Sequence, residues 1–351
     1  MPADAAERDH DTGLAAFLRG CPDPLAQVYD VALLDLDGVV YLGGTGIPGA
    51  AAALGKAHAA GMKLAYVTNN AFRTPAAVAA LLTGLGVPAE PSDVVTSAQA
   101  AARLLAEHLP AGAPVLVIGG TGLRLAVRER GLRPVSTAAD KPLAVVQGYF
   151  PGLSYTLLAE GGLAVRAGAL FVATNADLTL PRQNGQAPGN GSLIQVIATA
   201  TGVTPLVAGK PEPPLHRETV IRTGAKRPLV VGDRLDTDIL GASRVGVDSL
   251  LVLTGVTSPA EAVLAPPGQR PSYLAEDLTG LLEPYPEVKA GDDAATVGGW
   301  TARLDGGRLE LDGSGERIDA LRALCAAAWQ DDAPPASDVA RELVRRAGFT
   351  L

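Results

Sequence analysis

The sequence predicts an α/β protein built on parallel sheets, and three observations carry that expectation. Short uninterrupted apolar runs, Val31-Ala32-Leu33-Leu34 the first of them, read as strands buried on both faces. They alternate with alanine-rich stretches of helical length, the rhythm of βαβ units joined by right-handed crossovers. Several runs stop at acidic, glycine-containing turns, and open α/β sheets bind their ligands beyond the carboxyl ends of the strands. At about 150 residues per domain, a chain of 351 residues is expected to hold two to three domains.

In chain order, the first strand is followed by a helix over 50–60 and a second strand over 64–67. Thr74 is placed to cap a helix over 75–85, which Gly86 ends. Helices over 97–109, 122–130 and 154–167 then alternate with strands over 115–118, 143–147 and Leu170–Ala173. A Gly/Pro/Asn-rich stretch over 177–191 reads as a long loop, and loops of that length inside a compact domain tend to be functional. A helix over 192–201 and buried strands over 229–231 and 249–253 follow. The pattern lapses at Pro284-Tyr285-Pro286, a linker. Beyond it, strand-like pieces over 299–304 and 308–311 and helix-like ones over 317–329 and 337–347 form a small α+β module.

A hydrophobic content of 47% against 19% charged residues excludes a disordered chain. The net charge of −8 gives no electrostatic footprint for nucleic acid or an anionic membrane surface, so neither is expected as a partner. No apolar run approaches the roughly 20 residues that span a bilayer. Cys21 and Cys325 match neither a metal-binding spacing nor a disulfide framework and read as buried thiols of a cytoplasmic protein.

Function is written at the strand ends. Asp35-Leu36-Asp37-Gly38 follows directly on the first strand, with a glycine to allow a sharp exit. Two such carboxylates repel unless they share a cation or a proton, although a pair of solvated loop aspartates would carry the same letters. Thr68-Asn69-Asn70 ends the second strand, where a hydroxyl and amides can either hold phosphate oxygens or make a turn. Lys210 stands between Gly209 and Pro211 and is one of only six lysines among 29 basic residues. On such a turn it is either a point charge for phosphate or a solvated lysine. Gly232-Asp233-Arg234-Leu235-Asp236-Thr237-Asp238 again puts acids past a buried strand, with Asp233 and Asp238 as metal candidates. An oxygen-only set of acids suits Mg²⁺ better than zinc, for which His and Cys are missing here. His58, His108 and His216 form no triad with a serine.

These four segments, in this order, resemble the motifs of the haloacid dehalogenase superfamily of phosphohydrolases. The segment after Asn70 is similar to the large α/β cap of the branch that holds nitrophenylphosphatase-like and phosphoglycolate phosphatase-like enzymes. Ala173-Thr174-Asn175-Ala176-Asp177 and Pro188-Gly189-Asn190-Gly191 resemble that branch's cap signature. More narrowly, the length and tail look like the actinobacterial glycerol 3-phosphate phosphatases, which carry a small acetyltransferase-related domain. The tail has no convincing acyl-CoA phosphate loop, and a structural or regulatory appendage is expected. The resemblance implies a Rossmann-like core with a parallel sheet in two segments, 26–92 and 204–285. It further implies an α/β cap over 93–203 and the appendage over 287–351.

It also implies roles. Asp35 is expected as the nucleophile that forms an aspartyl-phosphate and Asp37 as the acid and then the base. Mg²⁺ is expected on Asp35, the Asp37 carbonyl and Asp233, with Asp238 a further ligand or orienting a bound water. Thr68, Asn69, Asn70 and Lys210 are expected at the phosphoryl group, and Asn175 and Asp177 on the cap at the leaving group. Asn184 and Asn190 add amides to that contact loop. The expected substrate is a small phosphorylated metabolite, glycerol 3-phosphate first, with phosphoglycolate or pyridoxal phosphate as alternatives from the same branch. A phosphotransferase or mutase would use Asp35 equally, and a phospholigand sensor without turnover is the rival from another class. A homodimer through the cap is the further expected partner.

Overall fold

The computed structural model describes residues 18–182, 185–291, 294–330 and 335–350. Asn184 lies outside the described residues. Two parallel sheets and one antiparallel sheet organise the chain, the α/β architecture expected from the sequence. The core sheet runs Tyr273–Ala275, Asp248–Val252, Pro228–Gly232, Val31–Leu34, Lys63–Thr68, Val94–Thr96, all parallel. Val31–Leu34 lies between Pro228–Gly232 and Lys63–Thr68, so the three segments that end in Asp35, Thr68 and Asp233 are neighbours. Each is short, apolar and buried on both faces, as a parallel strand flanked by helices must be.

The second sheet runs Leu206–Val207, Leu170–Ala173, Ala144–Gln147, Pro114–Ile118, Arg133–Val135, also parallel. Its strands at 144–147, 170–173 and 114–118 lie within a residue of their expected positions. Two domain limits shift by one strand each. Val94–Thr96, expected in the cap, pairs with Tyr66–Thr68 in the core sheet; Leu206–Val207, expected in the second core segment, pairs with Val172–Ala173 of the cap. Both are two- or three-residue strands that carry too little pattern to be assigned by periodicity.

Helix Ser97–His108 joins the two sheets. It starts in a capping box in which Thr96 Oγ1 accepts from the Gln99 N–H (3.3 Å) and the Thr96 N–H donates to Gln99 Oε1 (2.9 Å). Its Ala98, Ala101, Ala102 and Leu105 share one apolar cluster with Leu33 and Val67 of the core sheet and Val115 and Val146 of the cap sheet. Glu218, fully buried, ties the same junction together. It accepts from Arg130 (2.6 Å) and Arg222 (2.5 Å) and pairs with Arg103 of the joining helix.

The expected long loop over 177–191 is instead a two-stranded hairpin, Thr179–Arg182 against Gly185–Pro188. The tail has four antiparallel strands, Val288–Ala290, Ala294–Val297, Trp300–Asp305 and Arg308–Gly313, and helices Arg317–Ala328 and Ser337–Arg346. Trp300–Asp305 and Arg308–Gly313 alternate buried and exposed residues, as strands with one solvated face do. Among the described residues no helix is long and apolar enough to cross a membrane.

Candidate active site

The carboxyl edge of the core sheet gathers the acidic residues of two chain segments around one lysine. The Asp35 N–H bonds to Val231 O at 2.8 Å, so the first strand's pairing continues one residue and fixes where the Asp35 side chain begins. Lys210 Nζ donates to Asp238 Oδ1 at 2.6 Å and to Asp35 Oδ1, and approaches Val67 O at 3.5 Å. Lys210, Asp233 and Asp238 are buried and Asp35 is half-buried. Burial pushes the Asp35 carboxyl above its usual range, Lys210 pulls it back, and Asp238 and Asp233 push it up again. Asp233 is likewise raised, by burial first and by Asp238 second. For Lys210 burial acts downward, but Asp238 and Asp35 outweigh it and hold the ammonium charged.

Ligand atoms of Asp35, Asp233 and Asp238 lie within 4.8 Å of one another. Three carboxylates around one ammonium leave two negative charges uncompensated in a buried place. Asp233 Oδ2 accepts the Val256 N–H at 2.7 Å, whereas its buried Oδ1 has no protein partner. An oxygen-only donor set with an orphaned carboxylate oxygen fits a hard divalent cation such as Mg²⁺. Asp37 is exposed at the mouth of this cluster, and its turn is closed by the Gly38 N–H on Tyr41 O at 2.7 Å. Gly38 adopts φ +94°, and a methyl group there would stand 2.5 Å from Asp233 Oδ2, so both the turn and the close approach require glycine.

The amides play a different part from the one expected. Asn69 sends its side chain to the cap junction: Nδ2 donates to Asp177 Oδ2 (3.2 Å) and Lys210 O (3.1 Å), and Oδ1 accepts the Lys210 N–H (2.8 Å). What remains at the site from Asn69 is its backbone. Asn70 Oδ1 accepts the N–H groups of Phe72 and Arg73 at 2.9 and 3.1 Å, the turn alternative, while the Asn70 N–H bonds to Thr68 Oγ1 at 3.1 Å. Asn175, expected at the leaving group, is buried and donates to Asn69 O at 2.8 Å. Asn190, expected in the contact loop, is also buried and donates to Asn175 O at 2.8 Å. Asp177 is half-buried, with burial raising its pKa against the pull of Asn69, Arg234 and Lys210. For Asn69, Asn175 and Asp177 the physical reason is shared: the segment after strand Leu170–Ala173 meets the end of strand Lys63–Thr68, and their polar groups satisfy one another.

Sequence reasoning gave no role to Ser97, Thr254 or Arg234. Ser97 Oγ donates to Asn69 O at 2.6 Å, and Thr254 Oγ1 donates to Gly38 O at 2.6 Å. Arg234 is gripped by Asp236 through Nε (3.0 Å) and Nη2 (2.8 Å). Its place within the acidic segment 232–238 was the one available signal.

Residues 32–133 match the haloacid dehalogenase-like hydrolase family, residues 207–281 a second hydrolase-like family of the same group, and residues 297–349 a GCN5-related N-acetyltransferase-like domain. The D-glycerol 3-phosphate phosphatase of Mycobacterium tuberculosis is 46% identical over 316 residues, 87% of this chain and 87% of that protein. The chain belongs to the haloacid dehalogenase-like hydrolases. A second family member, the acid sugar phosphatase of Staphylococcus saprophyticus, is 36% identical over 257 residues, 73% of this chain and 97% of its own length. Among haloacid dehalogenase-like structures, a glycerol phosphate phosphatase from Mycobacterium tuberculosis in complex with magnesium superposes with a TM-score of 0.85 at 42% identity. That match covers 93% of this chain and 99% of that one.

Proposed function

We propose that this chain is a Mg²⁺-dependent phosphomonoesterase that hydrolyses glycerol 3-phosphate to glycerol and phosphate. The observation that carries the chemistry is Lys210 Nζ bridging Asp35 and Asp238 beside the orphaned Asp233 Oδ1. The similarity over most of the chain to the glycerol 3-phosphate phosphatase of Mycobacterium tuberculosis, in sequence and in structure, supports the substrate.

Asp35 attacks phosphorus in line, forming an aspartyl-phosphate as the P–O bond to the glycerol oxygen breaks. Asp37, exposed and clear of the ion-paired cluster, gives its proton to the departing alkoxide. The resulting carboxylate takes a proton from water, which attacks the same phosphorus and returns Asp35 to its carboxylate form. Thr68, the Asn69 backbone N–H and Lys210 hold the phosphoryl oxygens. Asp35, the Asp37 carbonyl, Asp233 and Asp238 form the Mg²⁺ site, and the ion supplies charge neutralisation between the acids and the phosphate dianion. Asn69, Asn175 and Asp177 set the cap against the core, so the cap's place over the site follows from the strand ends that carry the catalytic residues.

The division into core, inserted cap and tail stands with this reading. Cytoplasmic residence is proposed on the two buried, unpaired thiols Cys21 and Cys325. A homodimer through the cap is proposed on the groove between helices Tyr155–Arg166 and Asn190–Thr201, where Tyr155, Leu163 and Val196 are exposed. The deciding experiment compares kcat/KM for glycerol 3-phosphate, phosphoglycolate, pyridoxal 5′-phosphate and a nucleoside monophosphate at one Mg²⁺ concentration. A preference of about 10-fold for one of the others, or about 1.4 kcal/mol, would remove glycerol 3-phosphate and leave the phosphatase.

A further inference from the structure

No hydrogen bond or ion pair joins the described tail residues to Asp35, Lys210, Asp233 or Asp238, yet the packing of the tail leads to one of them. Asp233 is held from behind by the segment that follows strand Asp248–Val252. The Val256 N–H takes Asp233 Oδ2 (2.7 Å), the Thr257 N–H takes Asp233 O (3.2 Å), and Thr254 Oγ1 takes Gly38 O (2.6 Å). A methyl group on Gly255 would overlap the Asp233 carboxylate, so the segment fits around it with no slack. One oxygen is thereby fixed, the other, Oδ1, is buried without a protein partner, and the carboxylate offers a ligand atom within 4.8 Å of those of Asp35 and Asp238.

Immediately after Thr257 the chain enters the short helix Pro259–Val263. Ser258 caps it in a reciprocal box: its Oγ accepts the Glu261 N–H (3.3 Å) and its N–H donates to Glu261 Oε2 (2.8 Å). The helix buries Ala260, Ala262 and Val263 and packs against both tail helices, Arg317–Ala328 and Ser337–Arg346. The tail is locked to the core around that contact. Arg322 donates through Nε (3.0 Å) and Nη2 (2.7 Å) to Leu274 O and lies 4.5 Å from the Tyr285 ring centroid. Arg270 donates to Trp329 O at 2.8 Å, and Arg317 pairs with Glu276. Every residue from Ala320 to Ala328 is buried, so this helix is consumed between the tail's own sheet and the core.

We propose that the tail is a positioning module for the metal site. By clamping helix Pro259–Val263 it fixes segment 254–257, and that segment aims the Asp233 carboxylate; the tail therefore sets Mg²⁺ affinity without touching the reacting atoms. Groups that orient a metal ligand from behind govern affinity in this way. The inference rests on the Mg²⁺-phosphatase reading above.

The test uses the full chain with single substitutions, because removing the tail outright would expose the core it covers. Val263→Ala and Val344→Ala loosen the clamp from the core side and the tail side. Val297→Ala opens a comparable cavity in the tail sheet, on strand Ala294–Val297, which packs on helix Arg317–Ala328. Mg²⁺ binding to the metal-free proteins is measured by titration calorimetry, beside kcat at saturating Mg²⁺. The first two variants are expected to bind Mg²⁺ about 10-fold more weakly, with kcat at saturation within about two-fold of the parent. Val297→Ala is expected to lose thermal stability with unchanged Mg²⁺ affinity. Unchanged affinity in both clamp variants, or equal weakening in Val297→Ala, overturns the proposal. A parent protein that neither binds Mg²⁺ nor turns over phosphate esters fails the underlying reading instead, which separates the two.

Discussion

The core and cap sheets share one backbone architecture and differ in the one or two residues that follow each strand. In the core sheet these are Asp35, Thr68 at the end of its strand, and Asp233. In the cap sheet they are Gly119 after Pro114–Ile118, Gln147 and Gly148, and Thr174 and Asn175. Acids in the core are compensated in part by Lys210, which stands among them, and one carboxylate oxygen is left open for a cation. The cap edge is equally buried but neutral: both side-chain polar atoms of Gln147, Thr174 Oγ1 and Asn190 Oδ1 have no protein partner. Parallel strands therefore supply a place for chemistry, and the side chains at their ends decide whether that place reacts or merely docks.

The comparison breaks most visibly at Asp35. Asp35→Asn keeps the shape and removes the nucleophile, so turnover should fall by at least about 10³-fold with the circular dichroism spectrum unchanged; near-parental turnover would make the core edge as inert as the cap edge. Lys210→Met should cost about 3–5 kcal/mol of stability, because the buried Asp238 and the half-buried Asp35 lose their partner. Added Mg²⁺ should restore part of that loss, and urea unfolding with and without the ion reads it. No change in the urea midpoint would show that Lys210 is not what neutralises the edge.

On the cap side the effects should shrink. Asn175→Ala leaves Asn69 O with only the Ser97 hydroxyl and should cost about 1–3 kcal/mol, seen in the same unfolding curves, together with a raised KM as the cap loosens. A loss as large as that of Lys210→Met would erase the distinction between the two edges. Gln147→Met should be the mildest: exchanging a buried amide without a protein partner for an apolar side chain of similar length should change stability by less than about 1 kcal/mol. A clear loss would mean that the amide is bonded inside the cap after all.

Much of this was legible in the letters. Val31–Leu34, Leu170–Ala173 and the helix starting at Pro75 stand where short apolar runs and a Thr74 cap put them, because each is decided locally. Lys210 was visible through its rarity in a chain of arginines and its setting between glycine and proline. What escaped is settled by distant partners. The bonds of Asn69 to Asp177 and Lys210 span 108 and 141 positions, and nothing near Asn69 announces them. The hairpin of Thr179–Arg182 and Gly185–Pro188 escaped because Pro181 and Pro188 mask its strands. The tail's fit to the core also needed the structure, since an alanine-rich helix buried on all sides reads in sequence like any other.

Strand Tyr273–Ala275 is the outermost of the core sheet, and an outermost strand is ordinarily a template on which a foreign chain can pair. Here the Leu274 carbonyl is already taken by two N–H groups of Arg322, and a helix lies across the rim. The arginine thus takes up a carbonyl of this margin that intermolecular strand addition could otherwise use, and it comes from some fifty positions further along the chain.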